Sequence, residues 1–205
     1  AVLCHRAFPQ SMLGALMPCR SSREDMEHAQ AVAGQFSIPT KMVVLEPVFD
    51  ILLKMVPGKS IDPAASRIAE ANLKARLRML TLYYFANQLG YMVAGTSNRS
   101  ELAIGYFTKY GDGGVDIIPL GNLVKGQVRE LAGFLGIPQL IIDKPASAGL
   151  WPGQTDEGDL GFSYEELDRY LVAGEASGEL RGKIESMIAG CAHKRQLPQV
   201  ADFQV

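Results

Sequence analysis

The chain has 205 residues, 47% of them hydrophobic and 20% charged, with a formal net charge of −2. That length and composition suit one domain (residues 1–205) with a substantial core, and they argue against disorder. The near-neutral charge disfavours bulk nucleic-acid binding, and no apolar run reaches the roughly eighteen residues that a membrane-spanning helix needs.

In chain order, residues 1–8 read as the end of a helix. Their composition, AVLCHRAF, lacks the basic and long apolar regions of a signal peptide, so the natural start is expected upstream. Residues 11–17 (SMLGALM) read as a buried strand and 18–23 (PCRSSR) as a loop. Ser22 is placed to cap a helix over 24–36. A second strand is expected over 40–45 (TKMVVL) and a short helix over 48–55, with a break at 57–59. The longest helical pattern covers 63–89, with Ile68, Leu73, Leu77, Leu80 and Tyr84 near helical spacing. Residues 91–94 and 116–119 read as a third and a fourth strand. A helix over 125–135 is ended by Gly136 and Pro138. Residues 147–161 are expected to form a long surface loop, followed by helices over 164–171 and 178–189 and a mixed tail. The three cysteines, Cys4, Cys19 and Cys191, are scattered, which points to reduced thiols in a cytosolic protein.

Strands alternating with helices imply crossover connections and a parallel sheet. Ligands of such sheets bind beyond the carboxyl ends of the strands. The segment leaving the third strand, GTSNRSELAIGYFTKYGDGG from Gly95 to Gly114, is dense in glycine, hydroxyl and charge at that place. Gly95 would allow close approach of a ligand, Thr96 and Ser97 offer hydroxyls, and a helix start offers free N–H groups for phosphate. Glu101, one turn in, would bring a carboxylate that calls for Mg²⁺ beside phosphates. A plain capping box, with Ser97 or Asn98 as cap and Glu101 reaching back, accounts for the same spacing.

Asp112 lies between glycines in a loop that is either mobile or tightly turned, and Lys109 adds a point charge. Lys125 opens a helix, where a cation opposes the helix dipole unless it reaches an anion or points into water. Arg76 and Arg78 fit a solvated face of the long helix, and His193, Lys194 and Arg195 a solvated tail. Trp151, in a Pro/Gly loop, reads as a lid anchor or a local packing contact. Together these groups suggest a nucleotide-triphosphate site with Mg²⁺.

The ordered set GTSNRSE, YFTKYGDGGVD, PLGNLVKGQVREL, KPASAGLWPGQTDEGDLG and HKR resembles ammonia-dependent NAD synthetase, from about residue 15 to residue 195 and most strongly from Gly95 to Gly161. FTKYGDGG and GQTDE-x-x-LG are the most specific of these motifs. The resemblance implies an α/β fold with a doubly wound parallel sheet and flanking helices, Rossmann-like, of the adenine nucleotide alpha hydrolase type. It implies a homodimeric, cytoplasmic carbon–nitrogen ligase of NAD biosynthesis, with ATP, deamido-NAD and ammonia as substrates and Mg²⁺ as the metal. By motif, Thr96, Lys125 and Ser147 are expected at ATP and Glu101 at Mg²⁺. Arg76, Lys109, Asp116, Asp159, His193 and Lys194 are expected at deamido-NAD. Asp112 and Lys125 are the expected catalytic groups, and residues 146–161 the expected lid. The family's Ser-Gly-Gly-x-Asp-Ser pyrophosphate loop is expected just before Ala1. Leu16 stands where many members carry an Arg near adenine, and Ser147 where Thr is common. The competing readings are another ATP pyrophosphatase, GMP synthetase-like or tRNA-thiolating, and a non-catalytic nucleotide-binding protein.

Overall fold

The computed structural model describes residues 1–56 and 62–203; the break expected at 57–59 lies outside them. The chain runs α1 (Val2–Ala7), β1 (Gly14–Leu16), α2 (Arg23–Gln35), β2 (Thr40–Met42), α3 (Glu46–Met55) and α4 (Pro63–Leu89). It continues through α5 (Arg99–Ile104), α6 (Lys125–Leu135), α7 (Gln139–Ile142), α8 (Asp156–Leu160), α9 (Tyr164–Ala173) and α10 (Gly178–Gly190), and closes with a 3₁₀ turn over Ala192–Lys194. Helix boundaries follow cap chemistry. Ser22 accepts from Asp25 N–H at the start of α2, and Asp62 accepts from Ala64 N–H at the start of α4. Gly90, Gly105 and Gly136 end α4, α5 and α6 in the left-handed conformation that glycine adopts without strain.

β1 and β2 pair in parallel, Gly14 opposite Thr40 and Leu16 opposite Met42, with α2 as the crossover. The architecture is thus of the expected α/β class with parallel pairing. The third and fourth strands shrink to one parallel bridge, Ala94 with Ile117. Two local features limit that ladder. Val93 N–H is taken by the Asp116 carboxylate at 2.7 Å rather than by a backbone carbonyl. At Gly95 a Cβ would stand 2.8 Å from Val115, so only glycine allows the two segments to approach. Gly95 therefore serves chain packing as well as the cavity described below.

Three apolar nuclei hold the layers. Ile104, Leu160, Phe162, Tyr164, Leu167 and Ile184 join α5, α8, α9 and α10. Cys19, Leu45, Phe49 and Leu77 join the loop after β1 to α3 and α4. Val2, Ile38 and Leu135 join α1, the end of α2 and α6. Each fully buried aliphatic side chain, such as Leu167 or Ile184 at 0% exposure, contributes roughly 1.5–3 kcal/mol of transfer free energy.

The 147–161 segment is not wholly a surface loop. It contains α8, and Gln154, Asp156 and Leu160 within it are buried. On α4 the expected apolar stripe divides: Leu77 is buried, whereas Ile68, Leu80 and Tyr84 are exposed. No helix among the described residues is long and apolar enough to cross a membrane.

Candidate active site

A cavity of about 780 Å³ opens beside the Ala94–Ile117 bridge, between α4, the start of α5, the start of α6 and the 146–156 segment. Its polar centre is built on two helix starts. Asn98 caps α5 by accepting from Glu101 N–H at 3.0 Å, and Glu101 Oε2 accepts from Asn98 N–H at 3.0 Å. The capping box is therefore real. It leaves Glu101 Oε1 facing Lys125 Nζ at 2.8 Å, across the junction with α6. One carboxylate thus closes the capping box with one oxygen and pairs with Lys125 through the other.

Lys125 Nζ also stands 3.9 Å from Asp156 Oδ2 and 4.6 Å from the centroid of the Tyr164 ring. Tyr164 donates its hydroxyl to Asp156 Oδ2 at 2.8 Å, while Asp156 Oδ1 is buried and has no hydrogen-bond partner. Burial, followed by the charges of Glu101 and Asp156, pushes the Tyr164 phenol above its ordinary value. Tyr164 thus stays a neutral donor. Two carboxylates share one lysine here, in a poorly solvated place.

That donor set suits a hard divalent cation. Mg²⁺ is commonly held by one or two carboxylates together with substrate phosphates rather than by an all-protein cage. No group of three or more His, Cys, Asp or Glu side chains able to hold a metal occurs among the described residues.

A second network adjoins it in the cavity lining. Tyr106 donates to Asp159 Oδ2 at 2.8 Å, and Gln154 Nε2 donates to the same oxygen at 2.8 Å. Burial, then the bond to Asp159, raises the Tyr106 phenol above its ordinary value. Gln154 Oε1 accepts from Leu150 N–H, and Lys74 Nζ donates to Leu150 O at 2.7 Å, which fixes the middle of the 146–156 segment to α4. The Arg67 guanidinium lies 5.0 Å over the Trp151 ring, so Trp151 packs on α4.

The structure brings Thr96, Glu101, Asp112, Lys125, Ser147, Asp159 and Lys194 to this one cavity. The loop carrying Asp112 is tightly turned. Asp112 Oδ1 accepts from Thr108 N–H at 2.9 Å, and a Cβ at Gly113 would come within 2.5 Å of Phe107. Lys194 spends its ammonium on Gly105 O and Phe107 O, at 2.7 and 2.8 Å, and burial lowers its pKa. The remaining expected residues stand outside the lining. Arg76 donates to Lys109 O at 3.3 Å and Lys109 donates to His193 O, forming a strip beside the cavity. Asp116 binds Tyr83 OH and Val93 N–H, tying α4 to the third strand segment.

Sequence reasoning missed Asp156 and Tyr164, which look like an ordinary acid and aromatic at two helix starts. It also read Arg78 as solvated. Arg78 instead lines the cavity, with its guanidinium on Met17 O and Ser21 Oγ, both at 3.2 Å.

The sequence model of the family described as NAD synthase matches residues 1–198. The NH(3)-dependent NAD(+) synthetase of Syntrophomonas wolfei subsp. wolfei is 46% identical over 202 residues, a match covering 98% of this chain and 81% of that protein. Among solved structures, the NMN synthetase of Francisella tularensis aligns with a TM-score of 0.88 at 34% identity, over 98% of this chain and 84% of that one. The NH3-dependent NAD synthetase of Campylobacter jejuni aligns with a TM-score of 0.78 at 25% identity, over 98% and 82%.

Proposed function

The chain belongs to the NAD synthase family, with the Rossmann-like α/β fold of its solved relatives, and from this premise we propose that it is a ligase that amidates deamido-NAD with ammonia at the expense of ATP. The observation that carries the reading is the Glu101–Lys125–Asp156 group at the mouths of α5 and α6, inside a cavity large enough for a nucleotide.

A carboxylate is a poor electrophile. In the first step its oxygen attacks the α-phosphorus of ATP, and pyrophosphate leaves with the pair from the broken P–O bond. In the second step ammonia adds to the acyl carbon of the adenylate, and AMP leaves with the former carboxylate oxygen. The surplus proton of the nitrogen passes to a base. Chemistry of this kind depends on positioning and charge neutralisation more than on covalent help.

The chain's groups divide that work as follows. Lys125 neutralises phosphate oxygens and is held in place by Glu101. Thr96 and Ser147 offer hydroxyls at the ATP end. Asp112, exposed on the tight loop, takes the proton from nitrogen. Asp159 and Lys194 meet the dinucleotide within the cavity, and Arg76, Lys109 and His193 meet it along the adjoining strip. Asp116 acts by holding the strand segment behind that strip. Glu101 and Asp156 are the residues that would hold Mg²⁺, which would supply further charge neutralisation. The 146–161 segment excludes water from the adenylate.

The protein acts as a cytoplasmic homodimer in this reading, with residues 1–205 lying within one catalytic domain. Leu80 and Tyr84, exposed and one turn apart on α4, support a self-association surface. The likeness to the Francisella protein favours a second reading of the substrate, a mononucleotide acid amidated by the same steps.

The test is an assay of the full-length protein with ATP, Mg²⁺ and ammonium against deamido-NAD and nicotinate mononucleotide in parallel. NAD and AMP formed in equal amounts bear out the first reading. Turnover of the mononucleotide alone supports the second, and ATP binding without either product points to a non-catalytic nucleotide-binding protein.

A further inference from the structure

The first residue of α6 is a lysine, and its N-cap, Val124, has no side chain able to cap. The first N–H groups of a helix need acceptors, and a cation at this end works against the helix dipole. Both needs are met from another element. Asp168, on α9, accepts from Lys125 N–H at 3.3 Å with Oδ1 and from Gly126 N–H at 2.7 Å with Oδ2. The same Oδ1 accepts from the hydroxyl of Ser100, which is 0% exposed and lies next to Glu101 in α5. Ser100 Oγ in turn accepts from Lys125 N–H at 3.1 Å. One carboxylate therefore ties the residue before Glu101 to the backbone of Lys125.

We propose that Asp168 is a positioning residue for the reaction: by capping α6 from α9 and bonding Ser100, it sets the register between α5 and α6 that brings the Lys125 ammonium to the Glu101 carboxylate. The inference rests on the functional reading above for its catalytic consequence, but its geometric content stands apart from it. Asp168 does not line the cavity. Its effect runs through two backbone N–H groups and one buried hydroxyl. Misplacing a charge-neutralising group by about an ångström is enough to cost up to roughly a hundredfold in rate.

The test compares the full-length protein with Asp168→Asn, whose amide cannot accept with both side-chain atoms, and with Asp168→Glu, which keeps the carboxylate. Lysine acylation read by mass spectrometry reports whether Lys125 is still paired, with the exposed Lys41 as the internal standard. In Asp168→Asn, Lys125 labelling relative to Lys41 is expected to rise about threefold, the factor that a weakened ion pair allows. kcat is expected to fall about tenfold or more, with KM for deamido-NAD within about twofold. Asp168→Glu is expected to recover most of both changes. If Asp168→Asn does not fold, Ser100→Ala removes only the bridging hydroxyl and is expected to move labelling in the same direction. Unchanged Lys125 labelling in the folded variant overturns the proposal whatever happens to activity. So does a kcat that falls only in step with the folded fraction. A wild-type protein that forms no NAD defeats the functional reading instead, and the labelling comparison then decides the role of Asp168 by itself.

Discussion

Lys125 Nζ lies 2.8 Å from Glu101 Oε1, and the pair joins the first turns of two helices whose partners are 24 residues apart in sequence. The other Glu101 oxygen closes the capping box of its own helix. One side chain thus holds the local fold with one atom and faces the cavity with the other. Both groups are only about one-sixth exposed, at 17% for Lys125 and 16% for Glu101, so the pair is less screened than a surface bridge.

Glu101→Gln separates the two roles. Glutamine serves in a capping box as glutamate does, so the melting temperature is expected to move by only a few degrees. Removing the charge that faces Lys125, and that would help hold Mg²⁺ in the proposed reaction, is expected to lower kcat by about a hundredfold. Thermal melts and steady-state rates over a Mg²⁺ titration measure both. A loss of stability proportionate to the loss of turnover would mean that Glu101 is a cap and nothing more.

Arg76 is exposed, and its recorded bond is a long one to Lys109 O at 3.3 Å. Arg76→Ala is therefore expected to cost at most about 0.5 kcal/mol of stability. If the proposed role holds, its effect is on binding: KM for deamido-NAD is expected to rise about tenfold, with KM for ATP within about twofold. An unchanged dinucleotide KM would remove Arg76 from the site.

Much of the helical framework was legible because it is bounded by cap chemistry. Ser22 opens α2, and Gly136 and Pro138 mark the end of α6. The parallel β1–β2 pair was visible as two short apolar runs. The third and fourth strands looked equally apolar, yet they make one bridge, since the Asp116 side chain takes the Val93 N–H. A ladder bond replaced by a side chain leaves no mark on hydrophobic periodicity. Helices α7 and α8, of four and five residues, are too short to show a period.

The site was legible where a motif crowds it and illegible where it depends on burial. Glu101, Lys125 and Asp112 sit in dense polar segments. Asp156 stands one residue from Glu157 and three from Asp159 in a run of acids suited to any helix start. Only its 4% exposure distinguishes it from a solvated acid. Arg78, two residues from the exposed Arg76, is turned inward by helical geometry that a face-by-face reading of α4 did not resolve.

Tyr164→Phe probes the buried acid directly. Tyr164 is 1% exposed and its hydroxyl bonds Asp156 Oδ2, while Oδ1 already lacks a partner. Removing the donor is expected to destabilise the protein by about 1–3 kcal/mol, seen as a lower urea midpoint at constant m-value. Saturating Mg²⁺–ATP is expected to recover part of the loss if Asp156 faces the cation in the bound state. Equal midpoint shifts with and without Mg²⁺–ATP would assign Asp156 to the core alone.

Asp25 and Lys144 meet at 2.7 Å in the lining of the same cavity. The bond to Lys144, then that to Ser22, holds the Asp25 carboxyl below its ordinary 3.8. The same bond holds the Lys144 ammonium above its ordinary 10.5. An acid whose pKa is lower folded than unfolded stabilises above 3.8 and loses that contribution as pH falls through its folded value. A base whose pKa is raised stabilises below 10.5 and loses it as pH rises through its folded value. The pair therefore contributes across the window between those values and fades outside it. Lys144→Met is expected to unfold at lower urea than the wild type at neutral pH. The gap should narrow as pH drops below 3.8 and again as it climbs past 10.5. The gap is expected to be small, because Asp25 is 43% exposed and water screens the interaction. Urea midpoints measured in parallel at about pH 3, 7 and 11 supply the comparison. A gap of the same size at all three would show that the Lys144 stem, not its charge, holds the rim in place.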